Sequence, residues 1–153
     1  MNYWIESGTP KKKLVMGMPL YGQSFTLTKV EEHGLNAPAK SGGKAGVATR
    51  AKGFLAYHEV CRLIQQGYAV VKDDVSPPRM GPYAYKGNQW VGFDDEKSIR
   101  NKMDWIKSNG FAGAMVWSVD MDDFKGDICG SGVKYPLVGA MREELLGTPR
   151  YTH

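Results

Sequence analysis

Leu14-Val-Met-Gly-Met-Pro-Leu20, running into Tyr21-Gly-Gln-Ser-Phe25, and Gly113-Ala-Met-Val-Trp117, running into Ser118-Val-Asp-Met-Asp-Asp-Phe124, decide how this chain folds. Apolar residues run continuously through both stretches instead of alternating. That is the pattern of strands buried on two faces in a parallel sheet. In parallel α/β architectures ligands meet the carboxyl ends of such strands. Tyr21 and Trp117, which end the two runs, therefore stand where a substrate would lie, and a flat aromatic ring there suits a sugar.

Outward from the first strand, residues before Gly8 read as the end of a helix stopped by Gly8 and Pro10. The second strand begins near Ala112, too far away for a single βα crossover, so something is inserted between them. In the insert, Ser24–Thr28 reads as a strand and 33–46, rich in Gly, Ala, Lys and Pro, as a loop. Phe54, Tyr57, Val60, Cys61 and Ile64 recur at helical spacing, and Gly67 stops that helix. Tyr68–Val71, Pro82–Tyr85 and Gln89–Phe93 read as short strands, with Lys86-Gly87-Asn88 as a hairpin turn. Asp94-Asp95 offers a helix N-cap. Ile99, Met103 and Ile106 form the stripe of that helix, which Asn109-Gly110 ends. A last helix opens at Pro136, buries Leu137, Met141 and Leu145, and ends before Gly147 and Pro149.

Bulk properties exclude several classes. The 153 residues are 42% hydrophobic and 24% charged, a globular and not a disordered balance. No apolar run is long enough to span a bilayer, and the first residues have neither the basic start nor the apolar core of a signal peptide. A secretory signal would lie upstream. The net charge is +4, but its one dense run, Lys11-Lys12-Lys13, falls between a helix end and a strand. Cations there need no nucleic acid to explain them. His33, His58 and His153 are scattered, so no metal site is expected. No Gly-rich phosphate loop is present, and no cofactor is expected. Two cysteines, Cys61 and Cys129, are compatible with one bridge or with two buried thiols.

The motifs Asn2-Tyr-Trp-Ile, Gly17-Met-Pro, Tyr21-Gly, Ser24-Phe-Thr-Leu27, Leu55-Ala-Tyr-His-Glu-Val-Cys61, Asn88-Gln-Trp-Val-Gly-Phe-Asp-Asp95 and Gly113-Ala-Met-Val-Trp117 with Asp120-Met-Asp-Asp-Phe124 follow one another in an order and spacing that resembles glycoside hydrolase family 18 chitinases of animal type. The resemblance implies an α/β fold: the last quarter of a (β/α)8 TIM barrel, strands 7 and 8, with a small α+β domain inserted. On that reading residues 1–22 and 96–153 are partial barrel and 23–95 the chitinase insertion domain. A whole barrel needs about 250 residues. The chain by itself is then expected to expose strand edges, to be prone to aggregation, and to need the rest of the barrel for stable folding.

What the resemblance implies for function is hydrolysis of β-1,4-linked N-acetylglucosamine polymers by an extracellular protein, with chitin or chitooligosaccharides as partner. The alternative is part of a chitin-binding lectin that has lost catalysis, and a third reading is an independent carbohydrate-binding domain. The family resembles the substrate-assisted exception among glycosidases. Its catalytic Asp-x-x-Asp-x-Asp-x-Glu run is absent from this sequence, so no catalytic residue is expected here and the chain alone should be inactive. Losing a positioned general acid costs about 10²–10⁴ in rate.

By the resemblance Trp117 floors the sugar subsite and Tyr21 points a hydroxyl at the sugar; Met115, two residues before Trp117 on the same strand face, is expected from strand alternation to line the pocket wall. Each also has a plain packing reading. Gln23 stands where Arg is common, and Ala51, in Thr49-Arg-Ala-Lys-Gly53, where Glu is common. Loss of that charged pair weakens or alters sugar contacts. The resemblance also implies a Cys61–Cys129 disulfide and with it an oxidising compartment. Asp120, Asp122 and Asp123 read more simply as loop caps than as a cation site. Glu59 reads as a surface charge, and Tyr83, Tyr85 and Trp90 as an aromatic cluster within the insert.

Overall fold

The computed structural model describes residues 1–73 and 80–147; Pro149 and His153 lie outside them. A short helix α1 (Asn2–Glu6) and a 3-10 turn (Lys11–Lys13) lead into strand β1 (Val15–Pro19). After Leu20 come β2 (Tyr21–Leu27), β3 (Ala39–Gly42), β4 (Phe54–Ala56), helix α2 (Tyr57–Gln65), β5 (Ala69–Val71), β6 (Tyr83–Lys86) and β7 (Gln89–Gly92). Helix α3 (Glu96–Ser108), strand β8 (Gly113–Trp117), a 3-10 turn (Val119–Met121) and helix α4 (Pro136–Leu146) complete the described chain.

Two sheets result. β1 and β8 pair in parallel, Val15 opposite Gly113, Gly17 opposite Met115 and Pro19 opposite Trp117. A six-stranded antiparallel sheet has the order β3-β2-β7-β6-β5, with β4 also paired to β2. β6 and β7 join as a hairpin whose two loop residues follow the Lys86–Gln89 pair, and Gly87 takes φ +55°, a value favouring glycine. α3 and α4 pack on one face of β1–β8, where Met18, Ile99, Met103, Ile106, Leu137 and Met141 are fully or almost fully buried. The same core runs on through Leu20 to Leu55, Val60 and Val91, so one apolar cluster supports both sheets.

Local chemistry explains the element ends. Asp95 caps α3: its Oδ1 accepts from the Ser98 amide at 2.9 Å, and the Asp95 amide donates to Ser98 Oγ at 3.0 Å. Pro136 opens α4, and Gly147 at φ +65° closes it. Tyr135 gives α4 no side-chain cap, and Asp122, from far upstream, supplies it. Its carboxylate accepts from the amides of Leu137 at 3.3 Å and Val138 at 3.0 Å.

Four expectations are corrected. β1 and β8 are not buried on both faces: Val15 is 51% exposed, Met115 49% and Trp117 65%, because no other part of the described chain covers that side. The stretch 33–46 is not all loop, since Ala39–Gly42 pairs with the far end of β2. Phe54 is not helical but lies in β4 opposite Gln23, the pairing having overridden the helical spacing. Glu59 is not a surface charge. It is 6% exposed, and its carboxylate accepts from the amides of Ala48 at 2.7 Å, Ala56 at 3.0 Å and Thr49 at 3.3 Å.

Glu59 thus ties the 46–49 segment to the start of α2. A Cβ at Gly46 would fall 2.1 Å from Glu59 Oε1, so only glycine fits there. Burial pushes the Glu59 pKa up, but these amides outweigh it and hold the carboxyl below its ordinary 4.5. A depressed carboxylate stabilises the fold above the unfolded pKa and loses that contribution as pH falls through the folded value. Glu59→Gln is therefore expected to destabilise the protein clearly at pH 7 and progressively less below pH 4.5. Urea unfolding of both proteins across that range measures it, and an equal loss at every pH would refute the carboxylate's role.

Candidate functional site

Side chains alternate along β2, so Tyr21, Gln23 and Phe25 share one face of the antiparallel sheet. On that face Gln23 is opposite Gly92 of β7 and Phe25 opposite Trp90. Tyr21 packs on Phe54, ring centroids 4.4 Å apart. Tyr83 stacks on Trp90 at 5.1 Å, His33 on Tyr85 at 3.7 Å, and Phe25 lies 6.0 Å from Trp90. The aromatic cluster expected in the insert is thus continuous with the strand that carries Tyr21.

A cleft of about 360 Å³ opens here, lined by Pro19, Tyr21, Gln23, Tyr83, Trp90 and Phe93 among others. Lys102 from α3 reaches its wall and grips the buried Asp94 at 2.7 and 2.6 Å, one contact to each carboxylate oxygen. Ser98 Oγ also donates to Asp94, at 2.7 Å. This pair was not legible as a site. In sequence Asp94 looks like half of a helix cap, and Lys102 like one more solvent-facing lysine of α3.

Met115 and Trp117 stand apart from that cleft's lining, on the open face of β8. Pro19 connects the two regions, because it lines the cleft and is also the cross-strand partner of Trp117. The Leu20 amide donates to the Trp117 carbonyl at 3.0 Å, and the Trp117–Ser118 peptide bond is cis. Beyond it Ser118 Oγ donates to Asp120 at 2.5 Å. Ala51 is exposed in the turn that leads into β4.

Asp122 and Asp123 of the same segment are buried and committed to structure. Asp122 takes the α4 amides and the Asp123 amide; Asp123 takes the amides of Gly126 at 3.0 Å, Ile128 at 3.0 Å and Cys129 at 2.7 Å. Among the described residues no group of His, Cys, Asp and Glu is arranged to hold a metal ion. Cys61 and Cys129 are joined in a disulfide that ties α2 to the loop after β8. No helix among the described residues is long and apolar enough to cross a membrane.

Comparison with known proteins bears on this geometry. The sequence profile described as Glycosyl hydrolases family 18 matches residues 1–122. Probable chitinase 10 of Drosophila melanogaster is 52% identical over 148 residues, which are 96% of this chain and 6% of that protein. Chitinase-3-like protein 2 of Homo sapiens is 46% identical over 145 residues, 95% of this chain and 36% of that protein. This chain therefore spans well under half the length of these relatives. Among solved structures, a mutant of catalytic domain 2 of the Ostrinia furnacalis group II chitinase, in complex with (NAG)5, superposes with a TM-score of 0.89 at 44% identity, covering 96% of this chain and 38% of that one. Human YKL-39, described as a pseudo-chitinase with retained chitooligosaccharide binding properties, does so with a TM-score of 0.87 at 46% identity, covering 96% and 38%.

Proposed function

The chain belongs to glycosyl hydrolase family 18, and from that membership we propose that it forms one wall of a chitin-binding cleft and contributes no catalytic acid. β1 and β8 are read as strands 7 and 8 of a (β/α)8 barrel. Residues 1–22 and 96–153 are assigned to that barrel, and 23–95 to an inserted α+β domain. The observation that carries the reading is the open face of β1–β8. Val15, Gly17 and Pro19 meet Gly113, Met115 and Trp117 across a parallel pair that nothing in the described chain covers, and Pro19 leads from Trp117 into the Tyr21 cleft. An apolar sheet face left open on this scale is incomplete and calls for further strands.

Within the completed barrel Trp117 floors a sugar subsite, its indole covering the apolar face of a pyranose. Met115 lines the same wall. Tyr21 and Gln23 bound the sugar on the side of the insert. The ligand is a chitooligosaccharide and the setting extracellular, in keeping with the Cys61–Cys129 bridge. The parent is read as a chitinase hydrolysing β-1,4-linked N-acetylglucosamine polymers. A non-catalytic lectin is the second reading. It is favoured by Gln23 and Ala51, which lack the charges that would strengthen polar contacts to a sugar, and by the likeness to a pseudo-chitinase that still binds chitooligosaccharides.

Two outcomes test this. The chain alone should release no product from a chitooligosaccharide above background; turnover that persists through purification and in Trp117→Ala would overturn the absence of catalytic residues. In a complete barrel carrying these residues, Trp117→Ala is expected to weaken binding of a chitin oligomer by about 1–3 kcal/mol, from lost apolar area and shape. Tyr21→Phe is expected to cost about 1 kcal/mol, one hydrogen bond. Calorimetric titration reads both. Unchanged affinity in a folded Trp117→Ala protein would make Trp117 a packing residue only.

A further inference from the structure

A cavity of about 510 Å³ lies on the other side of β2 from Tyr21 and Gln23, between the antiparallel sheet, α2, the 44–48 segment and the 124–128 loop. Ser24, which alternates with Gln23 along the strand, forms part of its lining together with Leu55 and Val91, its neighbours on that face. The volume falls within the range of about 300–1,000 Å³ usual for small-molecule sites. The walls are held in place. The Cys61–Cys129 disulfide joins α2 to the far loop, Gln65 Nε2 donates to the Ile128 carbonyl at 2.5 Å, and Glu59 fixes the 46–49 segment.

Three properties of the lining specify a ligand. Leu55, Leu63, Val91, Phe124 and Ile128 give it apolar walls from three elements. Lys44, Arg62 and Lys125 bring three cations to it, and none of them has an ion pair among the described residues. Against them stand two carboxylates. Glu59 keeps its negative charge while three backbone amides hold it, so three cations face the carboxylates of Glu59 and Asp127, a surplus of one positive charge. Lastly, Ser24 Oγ is buried in this lining with no hydrogen-bond partner, whereas buried hydroxyls are ordinarily paired.

We propose that this cavity binds an amphipathic small molecule with an apolar body and one acidic head group. The body lies against Leu55, Leu63 and Val91, and the head group is met by Arg62 and Lys125 at the mouth. None of this depends on the chitin reading, because the residues involved lie on the opposite face of β2 from Tyr21 and Gln23.

Decanoate serves as the probe, with decan-1-ol as its uncharged counterpart. Calorimetric titration of the oxidised chain should show one saturable decanoate site per chain. The Arg62→Gln/Lys125→Gln double variant should lose at least tenfold in affinity. Both residues are exposed and unpaired, so the fold should survive, as circular dichroism would verify. Ala45→Trp, which places a ring in the cavity from the 44–48 segment, should abolish binding. Decan-1-ol binding as tightly as decanoate, or decanoate affinity unchanged in the double variant, would overturn the proposal and assign the binding to the open apolar face of β1–β8. Absence of saturable binding would overturn it outright.

Discussion

Replacing Cys61 and Cys129 together by Ser is expected to lower the free energy of unfolding by about 4 kcal/mol. The bridge spans a sequence separation of 68 residues, which encloses β5, β6, β7, α3 and β8. In the chain-entropy account a loop of that length, once cross-linked, removes on the order of 4 kcal/mol of freedom from the unfolded ensemble. The folded state adds a second reason. Apart from the bridge, α2 meets the 124–128 loop through the Gln65–Ile128 hydrogen bond and the edge contact of His58 with Phe124. Neither is strong enough to hold a loop that carries four glycines and serines from Gly126 to Gly132. Small domains typically have about 5–15 kcal/mol of stability in all, so this loss would be a large share of the total. Guanidinium unfolding of the oxidised protein and the double-serine variant gives the difference. A change below about 1 kcal/mol would mean that the bridge joins segments already fixed by packing.

Elements that carry their own local signals were legible in the sequence. The hydrophobic runs of β1 and β8, the Asp95 cap of α3, the Gly87-Asn88 turn and Pro136 at the head of α4 all state their structure within a few residues. What could not be read depends on partners distant in sequence. β3, Ala-Lys-Ser-Gly, has no apolar pattern and is a strand only because the exposed end of β2 pairs with it. Phe54 has the spacing of a helix and the pairing of a strand. Glu59 sits at a helical position that reads as solvent-facing, yet its amide partners at 48 and 49 lie in an irregular segment that no periodicity marks.

The candidate site divides the same way. Tyr21 and Trp117 are visible as aromatic ends of strands. The Lys102–Asp94 pair and the place of Trp90 in the cleft wall appear only when the antiparallel sheet folds back over α3. The continuous apolar runs announce two buried faces, whereas the described chain buries one. That mismatch between sequence pattern and exposure is what supports the proposed reading of β1 and β8 as barrel strands.

Asp123→Ala is expected to cost about 2–4 kcal/mol, more than most single substitutions. Asp123 is almost wholly buried, and its carboxylate collects the amides of Gly126, Ile128 and Cys129. The Gly126 amide keeps the Asp123 carbonyl as an acceptor at 3.1 Å, but those of Ile128 and Cys129 lose theirs; an orphaned amide costs about 1–3 kcal/mol where water cannot reach it, and somewhat less at these two half-buried positions. Asp122 beside it should behave differently. Burial, with the charge of Asp123 adding to it, holds its pKa above the ordinary 3.8 despite the amides of Val138, Asp123 and Leu137. A raised carboxyl favours the fold most below the unfolded pKa and loses that contribution as pH rises through the folded value. At pH 7 Asp122→Asn, which sheds the buried charge and keeps one acceptor oxygen, should therefore cost less than Asp123→Ala. Urea unfolding of the two variants at pH 7 ranks them, and the reverse order would refute this division of roles. The Asp123 effect should also fail to add to that of the bridge. Cys129 donates its amide N–H to Asp123 and is bonded through its sulfur to Cys61, so either change frees the same loop and the second has less left to release. A triple variant whose loss equals the simple sum would show that the carboxylate and the disulfide hold separate structures.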